Sequence, residues 1–427
     1  MIRSRTVTEM NMLSMSNART SRTLLIAICL GGLVLAAGCD SKKKEKEGET
    51  SSASTPTDTT PKEEGKEEGG AKEAAAPAKI NEALMKEIKD IAASCDVNVD
   101  GNTVKCEKAE GQDKDAFAQL KDKFYKKTYD RIGSLDTVAT GLADKDEKVQ
   151  VVSSAVMYSV LGSFPDAKVG DVDAGQAKRL LDAFAAAPKY RAGQAMRTVV
   201  YANTLAGVKD DLYKVLEGHS YKYVQTGGFE HIMHYGRMDH FPKAKELAES
   251  DDDAKIRAGF RAILNMPKMT DAEKKEICPW AQGHLGSEKD DQFFGAGRVM
   301  IRCRGEYVDA LLAEGEKRAK EHKFTRDYTM VYRDICFSMI AGLIKEPGVK
   351  EQCERNYKLL QSVVDDEKTD SLARGLSLFA IYYQRRDQES YDLMQKYKNH
   401  KDENVKKYAL QSIESLEKHY LKDKKNK

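Results

Sequence analysis

The fold class is decided by a short stretch that reads Ser250-Asp-Asp-Asp-Ala-Lys-Ile256-Arg257-Ala258. Serine and aspartate side chains accept hydrogen bonds from the unpaired N–H groups at the start of a helix, and the aspartate charge complements the helix dipole. The isoleucine then begins an apolar face with helical spacing. The stretch therefore predicts a turn that leads directly into an amphipathic helix.

The same phrase, an acidic turn before the apolar start of a helix, returns along the chain. Its apolar residues lie at intervals of 107, 37, 79 and 33 residues, and they are Val149, Ile256, Phe293, Leu372 and Val405. If the first interval spans three units and the third spans two, the unit is roughly 33 to 40 residues long, which is typical of helix-pair repeats. Apolar residues also recur at three- and four-residue spacing from residue 79 onward. The sequence thus predicts an all-α body.

Two segments resemble HEAT repeats, in which an acid precedes Val or Ile with a following Arg or Lys, and a small residue lies inside the second helix. They read Ile256-Arg257-Ala258 and Val405-Lys406-Lys407-Tyr408-Ala409-Leu410. The resemblance covers most of residues 112–422 and implies an α-solenoid of HEAT-like helix pairs. Tetratricopeptide-like helix pairs and an irregular all-helical domain are the alternatives.

The beginning of the chain has the three parts of a secretory signal. Residues 1–23 carry four arginines against one acid, and an apolar run of 14 residues follows from Leu24 to Ala37. This run is too short to span a bilayer, which needs roughly 20 residues. The next residues complete Leu35-Ala36-Ala37-Gly38-Cys39, which resembles the bacterial lipobox. The resemblance implies cleavage before Cys39 and a membrane anchor of lipid on that cysteine. A secreted protein cut at an ordinary signal site is the alternative.

A linker is predicted to follow the lipidated cysteine. Residues 40–78 contain no aromatic residue and no Leu, Ile, Val or Met, so they bury too little apolar surface to become ordered. A flexible chain of this length reaches roughly 35 Å. The predicted organisation is a signal peptide, the lipidated cysteine with its linker, an N-terminal helix with a disulfide hairpin, and a helical-repeat domain, at residues 1–38, 39–78, 79–111 and 112–427. We expect the body to lie in the periplasm or at the cell surface.

The charge balance bears on the class of partner. Without residues 1–39 the chain has 66 Lys and Arg residues against 67 Asp and Glu residues, which gives a net charge of −1. Balanced charge of mixed sign argues against nucleic acid as a partner. We therefore expect a protein partner in the cell envelope.

Six cysteines are predicted to form disulfides in the mature chain, because an exported protein meets an oxidising compartment. They are Cys95, Cys106, Cys278, Cys303, Cys336 and Cys353. An Asp100-Gly101 turn between two short strands places Val97 opposite Val104 and faces the first two cysteines towards each other. The other two pairs, taken as neighbours in sequence, would each staple a helix hairpin. Buried free thiols are the alternative for these four.

The predicted hairpin also fits the calcium-loop expression of EF-hands. Its acidic and amide residues stand at the required spacing, in Asp96-x-Asn98-x-Asp100-Gly101 with Glu107 at the last position. Thr103 replaces the usual aliphatic residue of that loop, and a disulfide across its ends would impose another geometry. The disulfide hairpin is therefore the preferred interpretation, and we expect no cofactor.

One histidine cluster is the remaining candidate for chemistry. His231 and His234 are three residues apart, a spacing at which two ring nitrogens on a helix can share a metal, and His240 is a possible third ligand. Surface or groove histidines are the alternative interpretation. No nucleophile elbow, P-loop or dinucleotide fingerprint occurs, so no catalytic residue is predicted. The aromatic residues Trp280, Tyr221, Tyr223, Tyr382 and Tyr383 fit either helix-core packing or, for the tyrosines, a groove lining.

These patterns together favour a lipid-anchored envelope protein that acts as a protein–protein interaction scaffold. Helix-pair arrays build an extended concave surface that binds other proteins or peptides. A metal-dependent envelope enzyme that uses the three histidines is one alternative. A purely structural envelope component is another.

Overall fold

The computed structural model describes residues 77–336 and 348–418. The described residues belong to one compact unit. The predicted signal peptide, Cys39 and nearly all of the predicted linker lie outside the described residues. Within the described part, none of the helices has both the length and the apolar character needed to cross a membrane.

The body begins with a helix and a β-hairpin. Helix α1 (Glu82–Ser94) leads into strand β1 (Asp96–Asn98), which pairs antiparallel with β2 (Thr103–Lys105). Val97 lies opposite Val104, as the turn predicted. The same register would also pair Val99 with Asn102, but the strands end at Asn98 and Thr103. Asn102 adopts a left-handed conformation with φ of 49°, and its side-chain amide donates to the carbonyl of Tyr190.

After the hairpin, the regular elements of the described chain are helices joined by loops and turns. Their bounds are α2 Ala116–Tyr125, α3 Leu135–Leu142, α4 Glu147–Ser159, α5 Ala174–Ala186, α6 Lys189–Leu205, α7 Asp210–Gly218, α8 Lys222–Gly227, α9 Met233–Gly236, α10 Phe241–Ala248, α11 Asp253–Leu264, α12 Asp271–Gly283, α13 Asp290–Cys303, α14 Glu306–Lys320, α15 Arg326–Ile335, α16 Val349–Asp365, α17 Ser371–Gln384, α18 Gln388–Tyr397 and α19 Glu403–Leu416. Two 3₁₀ turns flank α9, at Phe229–His231 and Arg237–His240.

The helices stack in two layers, as expected for repeated helix pairs. Layer A contains α3, α5, α7, α10, α12, α14, α16 and α18, and layer B contains α4, α6, α11, α13, α15, α17 and α19. In layer B, α4 packs on α6. Further along the chain, α11 packs on α13, α13 on α15, α15 on α17 and α17 on α19. Residues 222–240 lie between α6 and α11 and pack against both. The structure is thus the predicted all-α repeat fold with one hairpin.

The repeated acidic phrase marks the starts of layer-B helices. Asp146, Asp252, Asp370 and Asp402 are the N-caps of α4, α11, α17 and α19, and each side chain accepts from backbone N–H groups of the first turn. The phrase at residues 287–293 begins α13. The assumed number of units agrees with the structure when residues 222–240 are counted as one unit, because α6 and that segment lie between α4 and α11, and α15 lies between α13 and α17.

Close helix contacts in layer B depend on glycine. A Cβ atom on Gly295 would lie 2.2 Å from Cγ of the buried Phe260, and a Cβ atom on Gly259 would lie 2.4 Å from the carbonyl oxygen of Ala244. Both distances are too short for a side chain, so these positions let α13 approach α11 and let α11 approach α10.

The structure joins the same three cysteine pairs that the sequence predicts. The S–S distances are 2.06 Å for Cys95–Cys106, 2.00 Å for Cys278–Cys303 and 1.96 Å for Cys336–Cys353. The first closes the hairpin and the second staples α12 to α13 within one pair. The third joins the residue after α15 to α16.

Candidate functional site

An irregular segment takes the place of one layer-B helix. Residues 222–240 fill that place with α8, α9 and two 3₁₀ turns. Glycine explains why no long helix forms here, since it weakens helices and permits close contact. A Cβ atom on Gly228 would lie 2.4 Å from a methyl carbon of Leu216, and a Cβ atom on Gly236 would lie 1.9 Å from the ring of His240. The segment is therefore held by contacts that only glycine permits.

Exposed tyrosines gather around this segment. Tyr158, Tyr190 and Tyr223 are 69, 62 and 56% exposed, although large aromatic side chains usually bury most of their surface. The ring of Tyr221 connects two of them, with its centroid 6.2 Å from that of Tyr190 and 5.7 Å from that of Tyr223. Tyr158 lies close enough to contribute to the raised pKa of Tyr223, which burial raises most.

Helix α6 passes beneath these rings. A Cβ atom on Gly193 would lie 3.3 Å from the ring of Tyr221 and 3.9 Å from that of Tyr223, so the glycine lets both rings sit on the helix. On the other side, the hydroxyl of Thr198 donates to the carbonyl of Met157, the neighbour of Tyr158 on α4, at 2.9 Å. The tyrosines from α4, from the start of α6 and from the irregular segment thus surround one exposed stripe of α6.

Arg197 stands in that stripe and is exposed. Its Nε donates to the hydroxyl of Tyr201 at 3.3 Å, and its guanidinium lies 5.3 Å from the centroid of the same ring. It pairs with no carboxylate among the described residues. We call Tyr158, Tyr190, Tyr221, Tyr223 and Arg197 the tyrosine surface.

Three other exposed arginines of layer B have carboxylate partners. Arg257 of α11 lies 2.5 Å from Asp291 of α13, and Arg298 of α13 lies 3.6 Å from Asp334 of α15. Arg261 of α11 lies 2.6 Å from Glu230 of the irregular segment. Glu230 is therefore already neutralised by Arg261. Arg197 differs from these three by its unpaired charge.

Two of the predicted histidines lie next to the tyrosine surface. The ring of His234 stacks on Tyr201 at 4.6 Å, and the ring of His231 meets it edge-on at 5.7 Å. Nδ1 of His234 lies 3.1 Å from the carbonyl oxygen of Asn265, and Nδ1 of His231 is buried without a partner in the described structure. The pKa of His231 is lowered to about 4, chiefly by burial and also by Arg197 and His234. Burial also lowers the pKa of His234. Both rings are therefore neutral at pH 7.

The third predicted histidine has a different environment. His240 is 3% exposed, and its Nδ1 lies 2.5 Å from the hydroxyl of Tyr213 on α7. Its pKa is lowered to about 4, chiefly by burial; Asp239 opposes the shift and Lys209 adds to it. In the part of the chain that the structure describes, no three His, Cys, Asp or Glu side chains are arranged to hold a metal ion. The predicted three-histidine site is therefore not assembled, and neither is the calcium loop, in which the side chain of Asn98 accepts from the N–H of Gly101 instead.

The other aromatic candidates are divided between core and surface. Trp280 is half-buried, stacks on Phe260 at 5.3 Å and donates its N–H to Glu249 at 2.7 Å, so it belongs to the packing of α12 on α11. Tyr382 is buried, and Tyr383 is half-buried beneath the guanidinium of Arg333. Of the four tyrosines considered from the sequence, Tyr223 is the exposed one.

A cavity lies near the end of α11, away from the tyrosine surface. It has a volume of about 610 Å³ and is lined in part by Lys268, Lys274 and Arg302. The guanidinium of Arg302 donates to four carbonyls, those of Ile263, Leu264, Met266 and Pro267. Its hydrogen bonds thus close the end of α11 and leave the tyrosine surface as the better candidate site.

Comparison with known proteins adds the following. No protein-family model matches the chain, and no curated protein matches it. Among solved structures, the chain is similar to the crystal structure of an engineered protein at 14% sequence identity and a TM-score of 0.32, over 79% of this chain and 94% of the other. A likeness of this degree carries no functional argument, so the site must be interpreted from its own residues.

Proposed function

We propose that this chain is a lipid-anchored protein of the cell envelope that holds a partner protein on its tyrosine surface. The observation that carries the proposal is the group of three exposed tyrosines beside helix α6, whose exposed Arg197 pairs with no described carboxylate. Tyrosine and arginine are the residue types that supply much of the binding energy in protein interfaces. Contiguous exposed aromatic surface is typical of interaction sites.

The rigidity of the support favours this function. Tyr158 and Tyr190 lie on α4 and α6, which are joined by the hydrogen bond from Thr198 to Met157 and by one from Ser154 to Gln194 at 3.1 Å. Side chains held on packed helices lose little conformational entropy when they bind. A partner that covers these rings therefore gains most of the free energy of their burial.

Site-specific photo-crosslinking in intact cells tests the binding surface. A photo-crosslinking amino acid would replace Tyr158, Tyr190 or Tyr223 in separate full-length proteins. Tyr125 is the matched control, because it is 63% exposed but lies at the end of α2, outside the tyrosine surface. We expect one recurrent protein adduct from the three surface positions and not from the control. Equal adduct patterns at all four positions, or no adduct at the first three, would contradict the proposal.

The anchor needs a separate test, and Cys39 is the residue to change. Two acyl chains on one cysteine hold a protein stably, whereas one chain binds only marginally. We expect Cys39→Ser to abolish metabolic labelling with a palmitate analogue and to leave the protein uncut or released. An unchanged membrane fraction with unchanged labelling would refute the anchor and leave the binding surface untouched.

A further inference from the structure

We infer that the partner segment places a carboxylate on Arg197, between aromatic or apolar side chains that pack on the surrounding tyrosines. This inference rests on the proposed binding function and names the chemistry of its partner. It follows from the charge of the tyrosine surface, the fixed hydrogen-bonding groups around Arg197 and the neutrality of the neighbouring histidines.

The first step is the cost of covering Arg197. A guanidinium that loses water without gaining acceptors is strongly destabilised. Glu230, the acid beside Tyr223, is already held by Arg261 at 2.6 Å. Any segment that covers the tyrosine rings must therefore bring its own acceptors for Arg197. A carboxylate matches the planar fork of arginine with two parallel hydrogen bonds.

The second step is the sign of the surrounding charge. Lys189 and Lys222 are exposed, stand next in sequence to Tyr190 and Tyr223, and form no ion pair with a described carboxylate. The neutral His231 and His234 add no charge at pH 7, because burial lowers the pKa of both rings. Arg197, Lys189 and Lys222 therefore place positive charge at the tyrosine surface, opposed in part by Glu230 near Tyr223 and by Asp252 near Lys222. Arg197 is the cation without a carboxylate partner, and its charge favours acidic segments over basic ones.

The third step is the role of the tyrosine rings. Burial raises the pKa of Tyr223, so its hydroxyl keeps its proton at neutral pH and is a donor for a further acceptor on the bound segment. The faces of Tyr158 and Tyr190 remain open to apolar or aromatic side chains on either side of the acid. The occupant is thus an acidic, aromatic protein segment.

Fluorescence anisotropy with defined probes tests this chemistry on the full-length protein in detergent micelles. One labelled peptide alternates glutamate and tyrosine, and its matched partner alternates glutamine and tyrosine. We expect the glutamate peptide to bind about tenfold more tightly than the glutamine peptide, because the glutamine peptide lacks about one well-formed charged contact with Arg197. Arg197→Gln should remove this preference, and Arg197→Lys should keep part of it because the charge remains.

Arg298→Gln is the matched control. Arg298 is also an exposed layer-B arginine, with its guanidinium 5.6 Å from the ring of Phe294, but it already has Asp334 as a partner. We expect this variant to retain the wild-type preference. Equal affinity of the two peptides for the wild-type protein, binding of neither, or an equal loss in both glutamine variants would overturn the inference. Those outcomes are separable from a failed binding surface, because the photo-crosslinked adduct would still form.

Discussion

Acidification should destabilise this protein through His240, a buried histidine that stays neutral in the folded chain. Its pKa is lowered from 6.5 to about 4, chiefly by burial. Between these two values the unfolded chain binds a proton at this position and the folded chain does not. The stabilising contribution of His240 is therefore complete above pH 6.5 and is lost as the pH falls towards 4.

The size of the effect follows from the width of that window. Each unit of pH inside it costs about 1.4 kcal/mol. Lowering the pH from 7 to 5 crosses about 1.5 units of the window, so His240 alone should remove about 2 kcal/mol from the free energy of unfolding. His231, whose pKa is also about 4, should add a loss of similar size.

Urea unfolding, followed by circular dichroism at pH 7 and pH 5, measures this loss. His240→Gln removes the titrating ring and keeps an amide near the hydroxyl of Tyr213. We expect the variant to lose about 2 kcal/mol less than the wild type between the two pH values. Tyr213→Phe is the control, because it removes the 2.5 Å hydrogen bond but keeps the ring of His240 buried. Its pH dependence should match that of the wild type.

The reasoning would be refuted by equal pH dependence in the wild type and in His240→Gln. A loss of pH dependence in Tyr213→Phe would instead show that the hydrogen bond, and not burial, sets the pKa. The double difference between variants and pH values cancels the carboxylates, which titrate in the same way in all three proteins.

Three further predictions concern packing, cross-linking and the binding surface. Gly295→Ala should lower the free energy of unfolding by about 2 kcal/mol, because its methyl group meets the ring of Phe260; urea unfolding measures this, and an unchanged midpoint would contradict it. Replacing Cys278 and Cys303 together by serine should cost about 3 kcal/mol, since the disulfide closes a loop of 25 residues; thermal unfolding under oxidising conditions checks it, and an unchanged melting temperature would contradict it. Tyr158→Ala should leave the melting temperature unchanged, because the side chain is exposed, but should weaken capture of the photo-crosslinked partner about tenfold; equal capture would oppose the proposed surface.

Local features of the fold could be read from the sequence because their causes are local. An aspartate such as Asp252 or Asp402 caps the helix that begins beside it, so each acidic phrase marked a helix start. The hairpin register followed from a turn and two alternating strands, and the pairing of Val97 with Val104 is confirmed.

The candidate site could not be predicted in the same way, because its parts meet only through tertiary packing. Tyr158 and Tyr223 are 65 positions apart, and nothing near either residue indicates that its ring is exposed. The importance of Arg197 depends on which carboxylates reach it, which is a property of neighbouring helices. The histidines show the opposite case, since close sequence spacing suggested a shared metal, while the 3₁₀ turns direct His240 towards Tyr213.

The disulfides have a mechanical consequence. A pulling force on the chain can extend only residues that are free to straighten. The three disulfides close loops of 11, 25 and 17 residues, and the residues inside these loops cannot be extended. At about 3.5 Å per residue, the oxidised chain should stretch about 190 Å less than the reduced chain. None of these cross-links lies between Cys106 and Cys278, so the part that carries the tyrosine surface bears load without covalent reinforcement. A partner pulled away from it would test the strength of helix packing alone.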